Sequence, residues 1–304
     1  MYDLLIIGAG PAGLSAAVYG RRAGLNLAVI EQTPMSGGQV LNTYEVDNYL
    51  GMPGINGFDL GTKFREHAQK MGAVFLREKV TAIHDQGQSK TVETASGTAY
   101  EAKSLILATG AEHALLQVPG EQELKGRGVS YCATCDGAFF RGRDVAVVGG
   151  GDVAVEDAVY LSRMCRKVYL IHRRDSLRAA KILQDKLFAC ENVEICWNCT
   201  VSKINGDDLV EGVTLYHKQE KQEKDLAVEG VFIAVGMHPG TEAFAAAAAC
   251  DEKGYLIAGE DCATNLPGVF AAGDIRTKPL RQIVTAVADG ACAVTSVEQY
   301  LTGM

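Results

Sequence analysis

Leu4-Leu5-Ile6-Ile7-Gly8-Ala9-Gly10-Pro11-Ala12-Gly13 is the stretch that decides the fold. An apolar strand, Leu4 to Ile7, runs straight into glycines spaced i, i+2 and i+5, and a helical pattern from Ala12 to Ala23 follows. Gly8 permits the tight turn, Gly10 lets a pyrophosphate approach the backbone, and Gly13 lets helix and strand pack, with the helix N-terminus facing the phosphates. The next apolar strand, Leu27 to Ile30, is closed by Glu31, whose carboxylate can accept a hydrogen bond from a free ribose 2′-OH. A glycine triplet alone also occurs as a plain packing turn. Strand, helix and acid in sequence make this one a dinucleotide site.

The pattern recurs. Gly149-Gly150-Gly151 repeats it at an offset of 141 residues (149 − 8), which sets Gly10 opposite Gly151, Gly13 opposite Ala154 and Glu31 opposite His172. A helical stretch from Asp152 to Cys165 and a strand from Val168 to Ile171 follow the second turn. A further strand closes at Thr109-Gly110 in one half and at Val235-Gly236 in the other. The apolar run ending in Gly273-Asp274, with the helical pattern from Arg281 to Tyr300, has no counterpart near residue 240 and is assigned to the first half. The chain therefore reads as α/β, two Rossmann-like nucleotide-binding domains with the second inserted in the first: residues 1–113 and 243–304, interrupted by 114–242. The punctuation at Val118-Pro119-Gly120 and Gly236 to Gly240 marks the expected joints. Ala245 to Ala249 suits a helix by propensity and carries no functional signal.

Composition narrows the function classes. With 304 residues, 47% of them hydrophobic, the chain can bury one large core or two medium ones. A net charge of −8 argues against nucleic acid and anionic membranes as partners, since both attract a concentrated positive field. The N-terminus enters the first strand directly, and no run of about 18 apolar residues follows, so neither a signal nor a membrane span is read. Nine cysteines without a scaffold spacing fit a reducing, intracellular compartment.

At the place of the second acid stand His172-Arg173-Arg174 and, further on, Arg178. A carboxylate there would repel a 2′-phosphate, whereas clustered guanidinium groups bind one through charge-assisted hydrogen bonds, so the second site is expected to prefer NADPH to NADH. The bland alternative is a solvated basic face.

Cys132-Ala133-Thr134-Cys135-Asp136 supplies a dithiol. Thr134 to Phe140 can begin a helical turn that stabilises a thiolate, and Asp136 can give or take the proton that dithiol exchange requires, or simply cap the turn. Two nucleotide sites and one dithiol suggest a flavoenzyme that passes reducing equivalents to a protein disulfide. A second pair, Cys196 and Cys199, raises a zinc alternative. Against it stand the long separation of the pairs and the reading of Val193 to Val201 as one strand, in which residues three apart lie about 10 Å from each other.

These stretches together resemble the low-molecular-weight (bacterial-type) thioredoxin reductases over nearly the whole chain. The matches are Gly8 to Gly13, Ser36-Gly37-Gly38-Gln39, Val46-Asp47-Asn48-Tyr49, Ala108-Thr109-Gly110-Ala111, Cys132 to Asp136, Gly149 to Asp152, His172 to Arg174, and Gly273-Asp274 with Arg281-Gln282. The resemblance implies the three-layer ββα form of each domain. It also implies FAD in the discontinuous domain, near Gln39, Asn48, Asp274 and Gln282, and NADPH in the inserted one. Pro11, Ala12, Gly38, Thr109, Gly110, Gly236, Gly273, Arg281 and Ile283 join the candidate cofactor contacts on the same ground. A homodimer, a cytoplasmic location and thioredoxin as substrate are implied as well, with no metal. Val153 and Ala138 depart from the usual pattern, Ala138 at a place where a larger apolar residue often helps dock thioredoxin.

The expected path takes a hydride from NADPH to FAD, then electrons to the Cys132-Cys135 disulfide, then exchange with oxidised thioredoxin, the inserted domain swivelling between half-reactions. Two rivals remain at this level: a flavin dithiol oxidase that uses O₂, and a regulatory module whose cysteines sense redox state. Replacing Cys196 and Cys199 with serine is expected to leave turnover near that of the unmodified protein. Elemental analysis of the pure protein checks the zinc alternative.

Overall fold

In the computed structural model, residues 1–43, 46 and 48–303 are described. Asp47 of the Val46 to Tyr49 stretch lies outside them. The chain divides into two compact units, Met1–Glu112 with His238–Met304, and His113–Met237.

In the first unit, Tyr2–Ile7 is flanked in parallel by Leu27–Glu31 and Ala99–Leu107, with Val74–Arg77 beyond Leu27–Glu31. Ala99–Leu107 divides its far edge: its first half pairs antiparallel with Lys90–Thr94 and its second half pairs parallel with Val269–Ala271. Alternate residues of each strand serve two cores. Leu4, Ile6, Val29 and Ile106 pack with the helices Pro11–Arg22 and Ile283–Thr302, while Leu5, Ile7, Ala28, Ile30, Leu105 and Leu107 fill the other face.

The second unit repeats the plan. Its parallel sheet runs Val193–Cys196, Lys167–Ile171, Asp144–Gly149, Gly230–Ala234 and Val129–Ser130, beside a separate antiparallel sheet of Cys199–Asn205, Gly212–His217 and Gln222–Ala227. Val145, Val147, Val168 and Leu170 face the helix Asp152–Ser162, whereas Ala146, Val148 and Ile171 face the second sheet. Helix, parallel sheet and antiparallel sheet form three layers.

Three expectations need correction. Val118-Pro119-Gly120 is no joint: Ile204 N–H donates to Pro119 O at 2.9 Å, and the segment lies inside the second unit, which begins at His113 and ends at Met237 rather than 242. Val193 to Val201 is not one strand, because Trp197 and Asn198 form a turn with Asn198 at φ 55°. Ala245 to Ala249 forms turns instead of a helix, since Ala249 N–H donates to Asn265 Oδ1 at 2.7 Å and Cys250 bridges to Leu256.

A buried ion group clamps the end of Val269–Ala271 to the last helix. Asp289 accepts Gly273 N–H at 2.8 Å, two bonds from Arg276 at 2.9 and 2.7 Å, and Lys278 Nζ at 2.8 Å. Burial pushes its carboxyl pKa up, but these bonds outweigh burial and hold it below the usual carboxylate range. Asp289→Ala leaves two buried cations without their counter-ion, which costs about 3–5 kcal/mol. A matching fall in urea-unfolding stability is expected.

Candidate functional site

The carboxyl ends of three parallel strands in the first unit, Ile7, Glu31 and Leu107, lie along one edge. There the chain turns at Gly8, held at φ 104° with a Cβ position 2.4 Å from Ala108 O, and a Cβ on Gly13 would lie 1.9 Å from Gly8 O. Gly10 differs, because a Cβ added there meets nothing within 4 Å. The open position is the one expected to face a pyrophosphate, and it caps the helix that starts at Pro11.

Glu31 braces this turn. Its Oε2 accepts Ala9 N–H at 2.8 Å, and its Oε1 accepts the Thr33 N–H and hydroxyl, each at 2.9 Å. Gly37 N–H donates to Ala9 O at 2.7 Å, which brings exposed Gly38 beside Gly10, with exposed Gln39 next in the chain. Asn48 Nδ2 donates to Gln282 Oε1 at 3.0 Å, so two candidates 234 residues apart in sequence meet at the start of the last helix.

Asp274 carries the clearest sign of a ligand. Its Oδ1 is buried without a hydrogen-bond partner, and burial pushes its carboxyl pKa up. An orphaned acceptor at a strand end suits a ribityl or ribose hydroxyl, so these residues fit FAD. Arg281 shares that sign in part: its two terminal nitrogens donate to Lys278 O and Arg276 O and its guanidinium lies over Tyr255 at 4.1 Å, but its Nε is buried without a hydrogen-bond partner. Two other candidates are engaged within the unit, Thr109 Oγ1 donating to Gly240 O at 2.6 Å and Ile283 packing against the cluster of Val40, Val46 and Leu60. Pro11, Ala12, Gly110 and Gly273 shape the same edge through their backbone.

The second unit offers the turn Gly149-Gly150-Gly151 before the helix Asp152–Ser162, again at strand carboxyl ends, with Gly236 beyond Ala234. Arg173, Arg174 and Arg178 are exposed, and none forms an ion pair among the described residues. His172 stands where the offset puts it but is turned inward, 4% exposed. Its Nδ1 lies 3.0 Å from Gly149 O and its Nε2 3.0 Å from Ser176 O. A neutral ring donates to only one of these carbonyls at a time. Burial pushes its pKa below the ordinary histidine value, and Arg178 and Arg174 add to the push. The loop therefore presents three arginines, while His172 is a brace between glycine turn and loop. Asp152 likewise braces, its Oδ1 accepting Ala180 N–H at 2.7 Å.

Cys132, the extended residue before the single helical turn Ala133–Asp136, is joined to Cys135 inside that turn by a disulfide with Cα atoms 5.3 Å apart. Asp136 caps nothing with its side chain. Instead Ser130 Oγ donates to Asp136 Oδ2 at 2.6 Å and accepts Cys132 N–H at 3.1 Å. Burial pushes the Asp136 carboxyl above the usual carboxylate range, against the hydrogen bond from Ser130 that pulls it down. Two contributors escaped the sequence reading. Ser130 is one. Buried Glu121 is the other; it accepts Leu116 N–H, Gln117 N–H and the Tyr131 hydroxyl at 3.0, 2.7 and 2.9 Å and so fixes the residue before Cys132. No local signal marks either one.

Cys196 and Cys199 are free thiols, and burial pushes the Cys196 thiol up to about 11. Among the described residues no group of three or more His, Cys, Asp or Glu is placed to hold a metal, and no helix is long and apolar enough to cross a membrane.

Comparison with known proteins agrees with this geometry. Residues 2–290 match the family described as pyridine nucleotide-disulphide oxidoreductase. The chain is 49% identical to a thioredoxin reductase of Listeria innocua over 99% of its own length and 94% of the relative's. It belongs to the thioredoxin reductase family. A thioredoxin reductase of Bacillus subtilis is 47% identical, with 99% and 95% covered. Among solved structures, thioredoxin reductase from Streptococcus pyogenes superposes with a TM-score of 0.95 at 47% identity, covering 100% of this chain and 99% of that one. That of Lactococcus lactis gives 0.70 at 41% identity, with both chains fully covered.

If Asp136 moves the proton, Asp136→Asn should slow disulfide reduction by about a hundredfold and remove one ionisation from its pH–rate profile. Flavin reduction by NADPH should keep its rate in the same variant. An unchanged profile reduces Asp136 to a brace for Ser130.

Proposed function

We propose that this chain is an NADPH-dependent, FAD-containing thioredoxin reductase. The observation that carries the reading is the Cys132-Cys135 disulfide next to a half-buried carboxyl, in a chain of the thioredoxin reductase family with two strand-turn-helix cradles. FAD, when bound, supplies a centre that accepts a hydride and delivers its electron pair to a disulfide. Gly10, Gly38, Asn48 and Gln282 line its cradle, and Asp274 offers a carboxylate oxygen to a sugar hydroxyl. Arg173, Arg174 and Arg178 hold the 2′-phosphate of NADPH, while the turn at Gly149 to Gly151 takes the pyrophosphate.

Once reduced, Cys132 and Cys135 carry the pair as two thiols. One of them, as thiolate, attacks a sulfur of oxidised thioredoxin and expels the other substrate sulfur, which takes a proton. The second cysteine then attacks the mixed disulfide, re-forming the Cys132-Cys135 bond and releasing thioredoxin as its dithiol. Asp136, steadied by Ser130, supplies and retrieves protons in this exchange.

The discontinuous FAD domain corresponds to residues 1–112 with 238–304, and the NADPH domain to the insert. Seven cysteines outside the disulfide are free, which supports a reducing compartment, the cytoplasm. The family resemblance supports a homodimer. An O₂-using dithiol oxidase has no use for three exposed arginines without counter-ions.

NADPH oxidation coupled through thioredoxin to insulin disulfide is the direct assay. Cys132→Ser and Cys135→Ser should each abolish it while NADPH still bleaches the flavin. Coupled turnover in either variant rejects the proposal.

A further inference from the structure

Between Ile171 and Lys181 the chain forms neither helix nor strand, yet this segment carries the three exposed arginines. What fixes it lies elsewhere in the same unit. His172 N–H donates to Cys196 O at 3.0 Å, Cys199 N–H to His172 O at 3.0 Å, and Asn198 N–H to Arg174 O at 3.1 Å. All three bonds go to the four residues of one turn, whose Trp197 ring stands edge-on to His172 with centroids 6.3 Å apart. The far end of the segment is held separately, by Arg178 N–H on Gly150 O at 2.7 Å and Ala180 N–H on Asp152 Oδ1 at 2.7 Å. The turn depends in its own right on Asn198 at φ 55°, a left-handed conformation that asparagine adopts readily and a β-branched residue does not.

We propose that the Trp197-Asn198 turn determines coenzyme specificity: Asn198 is a positioning residue whose N–H on Arg174 O sets Arg173 and Arg174 where a 2′-phosphate is bound. The inference rests on the reading of this loop as the NADPH site. Guanidinium–phosphate pairs are directional, so a displaced loop loses charge-assisted bonds to the 2′-phosphate. NADH lacks that phosphate and relies on the glycine turn, which the far-end ties hold in place.

The test uses the FAD-loaded protein and its Asn198→Val, Asn198→Pro, Asn198→Gly and Asn198→Ala variants, with Arg173→Gln/Arg178→Gln alongside. Steady-state kinetics with NADPH and NADH are measured together with calorimetric binding of adenosine 2′,5′-bisphosphate. Asn198→Val and Asn198→Pro should lower kcat/KM for NADPH about tenfold, through KM, and weaken the bisphosphate equally, with NADH changed less than about twofold. Asn198→Gly, which keeps both the N–H and the positive φ, should restore the preference. If the valine and proline variants do not fold, Asn198→Ala should show the same selective loss at about threefold. Equal losses for NADPH and NADH, or unaltered bisphosphate affinity in the folded variants, overturn the inference. Equal effects of the double arginine variant on both coenzymes overturn the underlying site reading instead. A selective arginine effect with silent Asn198 variants defeats the inference alone.

Discussion

The closest backbone approach in the first cradle, a Cβ position on Gly13 only 1.9 Å from Gly8 O, is the constraint on which the rest depends. It presses the first turn of a helix against the strand it has just left, so the helix N-terminus opens at the carboxyl edge of the sheet. Everything assigned to nucleotide recognition in that unit converges there: Glu31 on Ala9 N–H, Gly37 N–H on Ala9 O, and the Asp289 group that pins Gly273 beside Asp274. The second unit solves the same problem with alanine at the corresponding place. There the closeness is shifted to Gly150, where a Cβ would lie 2.1 Å from His172 Nδ1. A histidine thus does for the second cradle what a carboxylate does for the first, bracing the turn from the next strand.

Much of this was legible in the chain because local chemistry and global arrangement agree. Four apolar residues before a glycine triplet can only end a buried strand, and the offset of 141 located the second copy with its helix and its charged strand end. The disulfide pair was legible for the same reason, since a single helical turn brings residues three apart together. What stayed hidden is set by contacts between distant residues. The apolar pattern through Val193 to Val201 continues across Trp197, and the chain turns there through bonds to His172, Arg174 and Lys218. Ala245 to Ala249 has the right propensity for a helix, but Asn265 and Leu256 take the chain elsewhere. Inward rotation of His172 and the capture of Arg281 by backbone carbonyls are likewise invisible to spacing, because a motif fixes where a residue stands and says nothing about which way its side chain turns.

The redox centre divides its labour in a similar way. Cys132, Cys135 and Asp136 are all half-buried, which leaves the disulfide within reach of a protein substrate, and Asp136 is tied to a serine two residues upstream of Cys132. Burial alone raises a carboxyl pKa, and one hydrogen bond to the oxygen does not cancel it.

Strand Val269–Ala271 pairs with Leu105 to Leu107, residues 164 positions earlier (269 − 105). The ribosome must finish nearly the whole chain before that sheet can close, whereas every strand partner of the inserted unit's sheets is available once Ala234 has emerged. Contact order alone thus sets a sequence of events during synthesis: the insert becomes an independent folded body while the first unit still waits with one edge of Ala99–Leu107 half-covered. Asp289, which arrives later still, locks that late strand in place.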